Sequence, residues 1–472
     1  MIISDPDKAP LSLEKIVTEE VRSFRSSEAY AVMAEAESYY RNRSAVQFKT
    51  NDIAGRSNTH IEHPYLKKFI DQKTNYLLAK PWSVNVDNDA YGERLNELFD
   101  SDFRRTLRGF CRNIIKFGIG WLQPYFKDGK PAWMNIPATE LVPIWADTAH
   151  TQLDAFIRVY DTIVYIGNRK QTVTHAELWW EGGVKYFITQ PFSVGSGGDF
   201  FVDKDHGGDE ENDWTLPHFQ IGDAGYNFAA APIVWAKYNE DELPLAYFIS
   251  DLIDQVNWIT SVSVDEERDI AKFIYVLKNY GGQDLAEFVA DLKQHLAIKV
   301  TTDGGVDKLQ ADLDMSATGD LLDRLRHDLF EFADAVDTKD PDLGNASGAA
   351  INFRYMDLDN DCAGLANEIN GALARLKLFI DVYFQATGQG DFTGDQFSIE
   401  FNMDMPVNET EVISNAIQSS AILSQETVLA NHPWVDNVQQ ELANLKAQRE
   451  EAVAEFGEFR PPAAANHNHA EE

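Results

Sequence analysis

The sequence predicts an α+β chain assembled from several modules in series, and three observations carry that prediction. Short apolar runs broken by Gly, Pro and Asp fill residues 118–238; two long apolar stripes of helical period flank a small mixed segment after Pro244; no proline interrupts the chain between Pro341 and Pro406. At 472 residues the chain exceeds the length at which one core usually stops growing, so roughly three modules are expected. Its 44% apolar and 12% aromatic content is ample for building cores.

Residues 1–50 read as an N-terminal helical segment. Leu13, Ile16, Val17, Val21 and Phe24 step by three or four, which predicts an amphipathic outer helix. A second helix is expected from about Asn51 to Lys80 through Tyr65, Phe69, Tyr76 and Leu77, and Pro81-Trp82 ends it before the alternating Ser83-Val84-Asn85-Val86. Antiparallel strands are expected at Trp121–Tyr125, Phe156–Tyr160 and Lys185–Ile188. Ser193–Gly225, rich in Gly and Asp and without period, reads as a surface excursion.

After Pro244, Leu245, Phe248, Ile249, Leu252, Ile253, Val256, Ile259 and Val262 hold one helical stripe. A compact insert follows: strand-like Phe273–Leu277, Gly281-Gly282, a helix through Leu285, Phe288, Leu292 and Leu296, then strand-like Ile298–Val300. The next long helix carries Leu321, Leu322, Leu325, Leu329, Phe332 and Val336 on one face. One proline and two glycines set a loop over Thr338–Gly348. Its exit enters a helix through Leu358, Cys362, Leu365, Ile369, Leu373, Leu376, Ile380 and Tyr383, which at ~1.5 Å per residue exceeds ~40 Å, with Gly364 and Gly371 as bend points. Strand-like Phe397–Phe401 precedes a helical pair. Val412, Ile413, Ala416 and Ile417 form its first stripe, Ser424 with Glu426 opens the next turn, and Asn431-His432-Pro433 stops it. Residues 457–472 have no core-forming pattern and read as a disordered tail.

The formal charge is −35, which argues against a protein whose main task is gripping nucleic acid, because that affinity comes mostly from Lys and Arg on phosphates. Either nucleic acid is irrelevant, or it passes nearby without sticking to a like-charged wall. Cys111 and Cys362 have no metal-ligand or C-x-x-C spacing, so a reducing compartment and neither disulfide nor zinc are expected. No apolar run is long enough for a membrane span, and Met1–Pro10 has no secretory pattern.

No phosphate loop, nucleophile elbow, metalloprotease or dinucleotide signature is present, so no enzyme and no cofactor are expected. Asp357, Asp359, Asp361 and Glu368 match the carboxylate spacing of a calcium loop, but Cys362 stands where the hinge needs Gly and the helical stripe runs through. No metal is expected there, and the carboxylates read as a solvated helix face. His60 and His63 would share a helix face with a capping or surface role. Asp265-Glu266-Glu267-Arg268-Asp269 reads first as a solvated run and second as an acidic collar.

Four words in order resemble the portal proteins of siphovirus-type tailed phages. They are Ile70–Pro81, similar to that family's early helix ending in a "YLLGKP" turn; Ala231–Trp235 leading to Asp251–Asn257; Ala271–Gly282; and Ser347–Leu358, similar to "SGxALRxRLxxL". Ala79 replaces a common Gly, and Asn352-Phe353 replaces a leucine-arginine pair. The resemblance implies a portal fold. Residues 51–242 would form a mixed, β-rich wing, 243–266 and 316–337 two long stem helices, and 267–315 a small α/β clip. Residues 338–349 would be a tunnel loop, 350–406 a long kinked wing helix and strand, and 407–456 a helical C-terminal crown.

It also implies a homo-oligomeric ring, typically of twelve subunits, at one capsid vertex, assembled in the host cytoplasm. Double-stranded DNA would pass Lys339, Asn345 and Ser347 of the tunnel loop during packaging and ejection. Phe273, Tyr275, Lys278, Tyr280 and Gln283 of the clip would dock the terminase large subunit and then the head-completion adaptor protein. Scaffold and major capsid protein are further implied partners, and no membrane is. Composition alone leaves a rival open: an acidic scaffold or adaptor without a DNA role.

Overall fold

The computed structural model describes residues 12–50, 56–127, 129–166, 168–189, 198–221, 224–270, 274–278, 284, 305–309, 315–339, 348–403, 409–420, 422–430, 432, 434–435 and 438–457. The chain divides into two compact units, Met1–Val336 with Asp357–Met403, and Asp337–Met356 with Asp404–Glu472. Helix and sheet are mixed, consistent with an α+β class. Among the described residues no helix is long and apolar enough to cross a membrane.

The first unit opens with α1 (Leu13–Arg25) and α2 (Glu28–Tyr40), each started by a serine whose Oγ accepts a backbone N–H three residues on. Next come α3 (Tyr65–Leu78), β1 (Ser83–Val86), α4 (Asp89–Leu98) and α5 (Ser101–Phe117), the last two capped by Asn88 and Asp100. Helix α5 is the centre of the unit: Phe103, Leu107, Phe110, Cys111, Ile114 and Ile115 are all fully buried. Phe99 stacks on Phe103 at 4.2 Å between ring centres, and Trp82 meets both edge-on. The helix ends at Gly118, whose φ of 83° suits only glycine, since a Cβ there would lie 2.0 Å from the Glu242 carbonyl oxygen. The stretch between α2 and the sheets therefore holds three helices before any β-rich text begins.

Two antiparallel sheets follow. β2 (Ile119–Lys127) and β3 (Lys130–Ile136) form a hairpin. β4 (Leu141–Trp145), β5 (Leu153–Ile166), β6 (Arg169–Trp180), β7 (Gly183–Thr189) and β8 (Phe200–Val202) form a five-stranded meander in sequence order. Helix α1 lays Val17 and Val21 on the apolar face built by Ile157, Val159, Ala176 and Phe187. It also blunts the edge strand, because Thr18 Oγ1 accepts from Phe200 N–H at 3.0 Å and Glu14 from Val202 N–H at 3.1 Å. The described part of the Gly/Asp-rich excursion, residues 198–221 and 224–225, is more ordered than its composition suggests. It contributes β8, β9 (Phe219–Ile221) and the start of β10 (Ala224–Tyr226), and Leu216 bridges back to Val184. β11 (Val234–Lys237) then joins β2 as the third strand of its sheet.

Helix α6 (Leu245–Ile270) follows, burying Leu245, Ile249, Ile253 and Val256; Phe248 of the expected stripe is 53% exposed. β12 (Ile274–Lys278) pairs antiparallel with β13 (Gly305–Leu309), so the described partner lies beyond the expected Ile298–Val300, which is outside the described residues together with the helix expected over 285–296. Helix α7 (Met315–Phe332) packs along α6. It closes on Asp334, left-handed at φ 45°, with Ala335 N–H reaching back to the Phe330 carbonyl. Helix α8 (Gly348–Ala386) runs 39 residues, about 58 Å, and β14 (Phe397–Glu400) pairs with β1. In the second unit, α9 (Glu409–Ser419) and α10 (Gln425–Ala430) match the expected pair, and a third helix, α11 (Val438–Gly457), packs on α10 with Arg449 donating to Gln425 at 3.0 Å. The expected tail after 457 lies outside the described residues.

Residues 56–64 are not helical, contrary to the helix expected from Asn51, because Pro64 drives His63 out of the helical region. They form an extended strap along α6. The N–H groups of Ser57, Thr59, Ile61 and His63 donate to Asp269, Asp265, Ser261 and Asn257 at 3.2, 2.8, 2.9 and 2.9 Å. Two residues of extended chain rise ~6.6 Å and four of helix ~6 Å, so the two periods nearly match. The run Asp265–Asp269 is thus no free solvated face: Asp265 is buried against Lys49 at 2.5 Å, Arg268 donates to Thr59, and only Glu266 and Glu267 lie open within it beside Arg268. His60 donates its Nε2–H to the Lys49 carbonyl at 2.9 Å, and His63 contacts Asn257, so neither sits on a helix face.

Burial opposes ionisation of Asp265, but Lys49 and the Thr59 hydroxyl and N–H outweigh it and hold the carboxyl below the usual carboxylate range. The unfolded chain therefore binds this proton more readily. Stability from this group is complete above the unfolded value of about 3.9 and is lost as pH falls through the lower folded value. Urea unfolding between about pH 3 and 5 should show stability rising with pH, and Asp265→Asn should flatten that slope.

Candidate functional site

The residues expected to touch a passing duplex begin just after α7. Lys339 is exposed, and its backbone N–H donates to Asp337 Oδ1 at 3.1 Å, which starts the turn; Asn345 and Ser347 lie outside the described residues. Of the expected docking residues, Tyr275 and Lys278 stand on β12 opposite Lys308 and Gly305, while Phe273, Tyr280 and Gln283 lie outside the described residues.

The chain entering this segment is held by α3. Gln72 uses its whole amide on Val336, donating Nε2–H to the carbonyl at 2.8 Å and accepting the N–H at 3.1 Å, as a backbone strand would. One residue on, Lys73 is completely buried, and its ammonium donates to the Asp334 carbonyl at 3.1 Å and to Asp361 Oδ2 of α8 at 2.6 Å. Tyr238 donates to the same carboxylate at 3.3 Å, and Tyr76 to Asp359 at 2.9 Å. Burial, helped by Asp361 and Asp334, pushes the Tyr238 phenol far above its ordinary value, so it stays a donor; burial also raises the Asp334 carboxyl.

The calcium-like carboxylates are thus distributed along one continuous helix, not wrapped as a loop. Asp359 and Asp361 are spent on Tyr76 and on Lys73 with Tyr238, Glu368 accepts from Lys237 N–H at 3.3 Å, and Asp357 is exposed. Asp361 is only 19% exposed at its side chain, so the reading of a solvated face is corrected: it is the counter-charge of a buried lysine. Burial pushes the Cys111 thiol up to about 12 and raises that of Cys362, leaving both thiols protonated and unreactive at neutral pH. Among the described residues, His327, Asp328 and Glu331 converge on one turn of α7, yet His327 is 77% exposed and only part of one side of an ion would be covered.

Sequence reasoning passed over Gln72, Lys73, Tyr238 and Asp334. Gln72 and Lys73 lie inside the Ile70–Pro81 word, but nothing local marks Lys73 as buried, since its partner is 288 residues away.

A model described as "Phage portal protein, SPP1 Gp6-like" matches residues 25–455. The chain belongs to that portal family. It is 31% identical over 398 residues to the portal protein of Bacillus phage SPP1, covering 83% of this chain and 76% of that protein. It is 24% identical over 453 residues to the portal protein of Clostridium phage phiCD119, covering 89% and 94%. Phage portal proteins are non-enzymatic virion components that form oligomeric rings in capsids.

Lys73→Met leaves Asp361 without its buried counter-charge and should cost about 3 kcal/mol in urea unfolding, whereas Lys73→Met with Asp361→Leu should recover most of that loss.

Proposed function

We propose that this chain forms the ring-shaped channel at one capsid vertex through which double-stranded DNA is packaged and later ejected. The observation that carries this reading is membership of the portal family over residues 25–455. The order of elements agrees with it: β-rich wing (51–242), stem helices (243–266 and 316–337) around a clip (267–315), tunnel loop (338–349), long helix and strand (350–406) and crown (407–456). A ring of about twelve subunits lets apolar faces of long helices find partners between chains, through heterologous contacts that close on themselves.

Charge fits transport better than grip. The 41 Lys and Arg are outnumbered by 76 Asp and Glu, so the net charge of −35 opposes tight phosphate binding and a duplex slides. Lys339, Asn345 and Ser347 are the residues we assign to transient contact with it. Phe273, Tyr275, Lys278, Tyr280 and Gln283 we assign to docking the terminase large subunit and, after packaging, the head-completion adaptor protein. Scaffold and major capsid protein would surround the ring during assembly in the host cytoplasm.

Negative-stain microscopy of the purified protein should show rings with an axial hole and a mass many times the 53.2 kDa of one chain. A small oligomer without a hole would favour an acidic adaptor instead. Replacing Lys339, Asn345 and Ser347 together with Ala should impair packaging or retention of DNA in an in vitro assay while ring mass stays unchanged. Normal packaging and retention in that variant would remove the loop from the mechanism.

A further inference from the structure

The longest hairpin of the five-stranded sheet outruns its neighbours. β5 and β6 pair from Ala155↔Trp180 to Ile166↔Arg169, but β4 accompanies β5 only as far as Arg158 and β7 accompanies β6 only from His175. Among the described strands, the ribbon from Thr162↔Val173 to its turn therefore has two open edges, since the last covered position is Thr174, whose N–H donates to Thr189 Oγ1 at 3.0 Å. A lone two-stranded ribbon is marginal in water. This one also exposes apolar side chains, Ile163 at 56% and Tyr165 at 72%. An open-edged ribbon with exposed apolar side chains is the form that another protein covers.

The charge of the ribbon says which protein. Between Thr162 and Thr174 there is no acid, and Arg169 and Lys170 sit at the turn, within a chain of net −35. At the other end of the same sheet lies its complement. Asp203–Asp213 carries six acids and one lysine, and Asp205, Asp209, Glu210, Glu211 and Asp213 are exposed. That excursion is fixed to β7 at the Trp180–Gly183 end: Asp203 N–H donates to the Tyr186 carbonyl, His206 stacks on Tyr186 at 3.8 Å, Leu216 bridges Val184, and Asp213 pairs with Lys185 at 2.8 Å. Strand β6 spans the distance between the two ends, about 35 Å, so the tip cannot reach the excursion of its own chain. A closed ring needs just such a pair, two different complementary patches on opposite sides of one subunit.

We propose that the basic, apolar tip of the β5–β6 ribbon seats on the Asp203–Asp213 excursion of a second copy of this chain, its neighbour in the ring. This rests on ring assembly of the portal family and adds which surfaces meet. The tip supplies apolar burial through Ile163 and Tyr165, and the charges fix direction, since tip against tip or excursion against excursion places like charges together.

Charge exchange tests it in the full chain. Lys170→Glu, and separately Glu210→Lys with Glu211→Lys, change the charge of exposed side chains, and unchanged thermal melting of each monomer checks that both fold. Each variant alone should need about tenfold more protein for half-assembly into rings than the wild type, measured by sedimentation at low salt. Mixed together, they should form rings at near wild-type concentration containing the two chains in equal number by native mass spectrometry, because each reversed tip then meets a reversed excursion. Wild-type assembly by the tip variant alone, or a mixture no better than its parts, overturns the proposal. Normal rings that fail to enter capsids would overturn it in favour of a shell protein as the occupant. A wild-type chain that forms no ring would instead overturn the ring reading on which the proposal rests.

Discussion

An ammonium with no access to water must be satisfied completely where it stands, and Lys73 is such a group. Meeting that constraint brings three elements to one point: α3 supplies the lysine, α8 supplies Asp361, and the left-handed turn closing α7 supplies the Asp334 carbonyl. Gln72 beside it fixes Val336 by both backbone groups. The residues that follow α7, Asp334 and Val336, are therefore held by a helix far away in sequence. A buried ion pair is a weak source of net stability, but it is intolerant of misplacement.

The strap over 56–64 applies a similar logic to α6. An extended chain carries unpaired N–H groups, and burying them without acceptors costs about 1–3 kcal/mol each. Here Asn257, Ser261, Asp265 and Asp269 recur every fourth position and take alternate N–H groups in turn. Asp265 and Asp269, at the far end of α6, are thereby occupied in structure, while Glu266 and Glu267 between them stay open. This changes the meaning of the −35 charge: part of it neutralises buried cations such as Lys49 and Lys73, and what remains open, as in the Asp203–Asp213 excursion, is available to other molecules.

Much of the fold was legible from periodicity. The stripes at Leu245–Val262 and Leu358–Tyr383 coincide with α6 and α8, the stripe from Leu321 follows α7 to its end at Phe332 but overruns it at Val336, and the runs at Trp121, Phe156 and Lys185 coincide with β2, β5 and β7. The stripe of α5 was equally strong, with Phe103, Leu107, Phe110 and Ile114 spaced by four, three and four, yet that stretch was merged into a β-rich segment. The strap was misread because Tyr65, Phe69 and Tyr76 make a helix whose start only Pro64 marks. The calcium-like spacing lies on one continuous helix, and the solvated face it suggests is not there for Asp359 and Asp361, which accept from Tyr76 and from Lys73 and Tyr238.

The sequence by itself determined most of the helices and strands, their order along the chain, and the resemblance to the portal family. Side-chain direction repeats every 3.6 or 2 residues, so a pattern of apolar residues declares its element locally. Only the tertiary structure decided where the charges go: that Lys73 lies in the core against Asp361, that Asp265 and Asp269 clasp a strap, and that one sheet carries a basic tip and an acidic excursion at opposite ends. A charge has no period to announce its environment. Its burial and its partner are set by which distant surfaces the packing brings together, and no local window of sequence contains both.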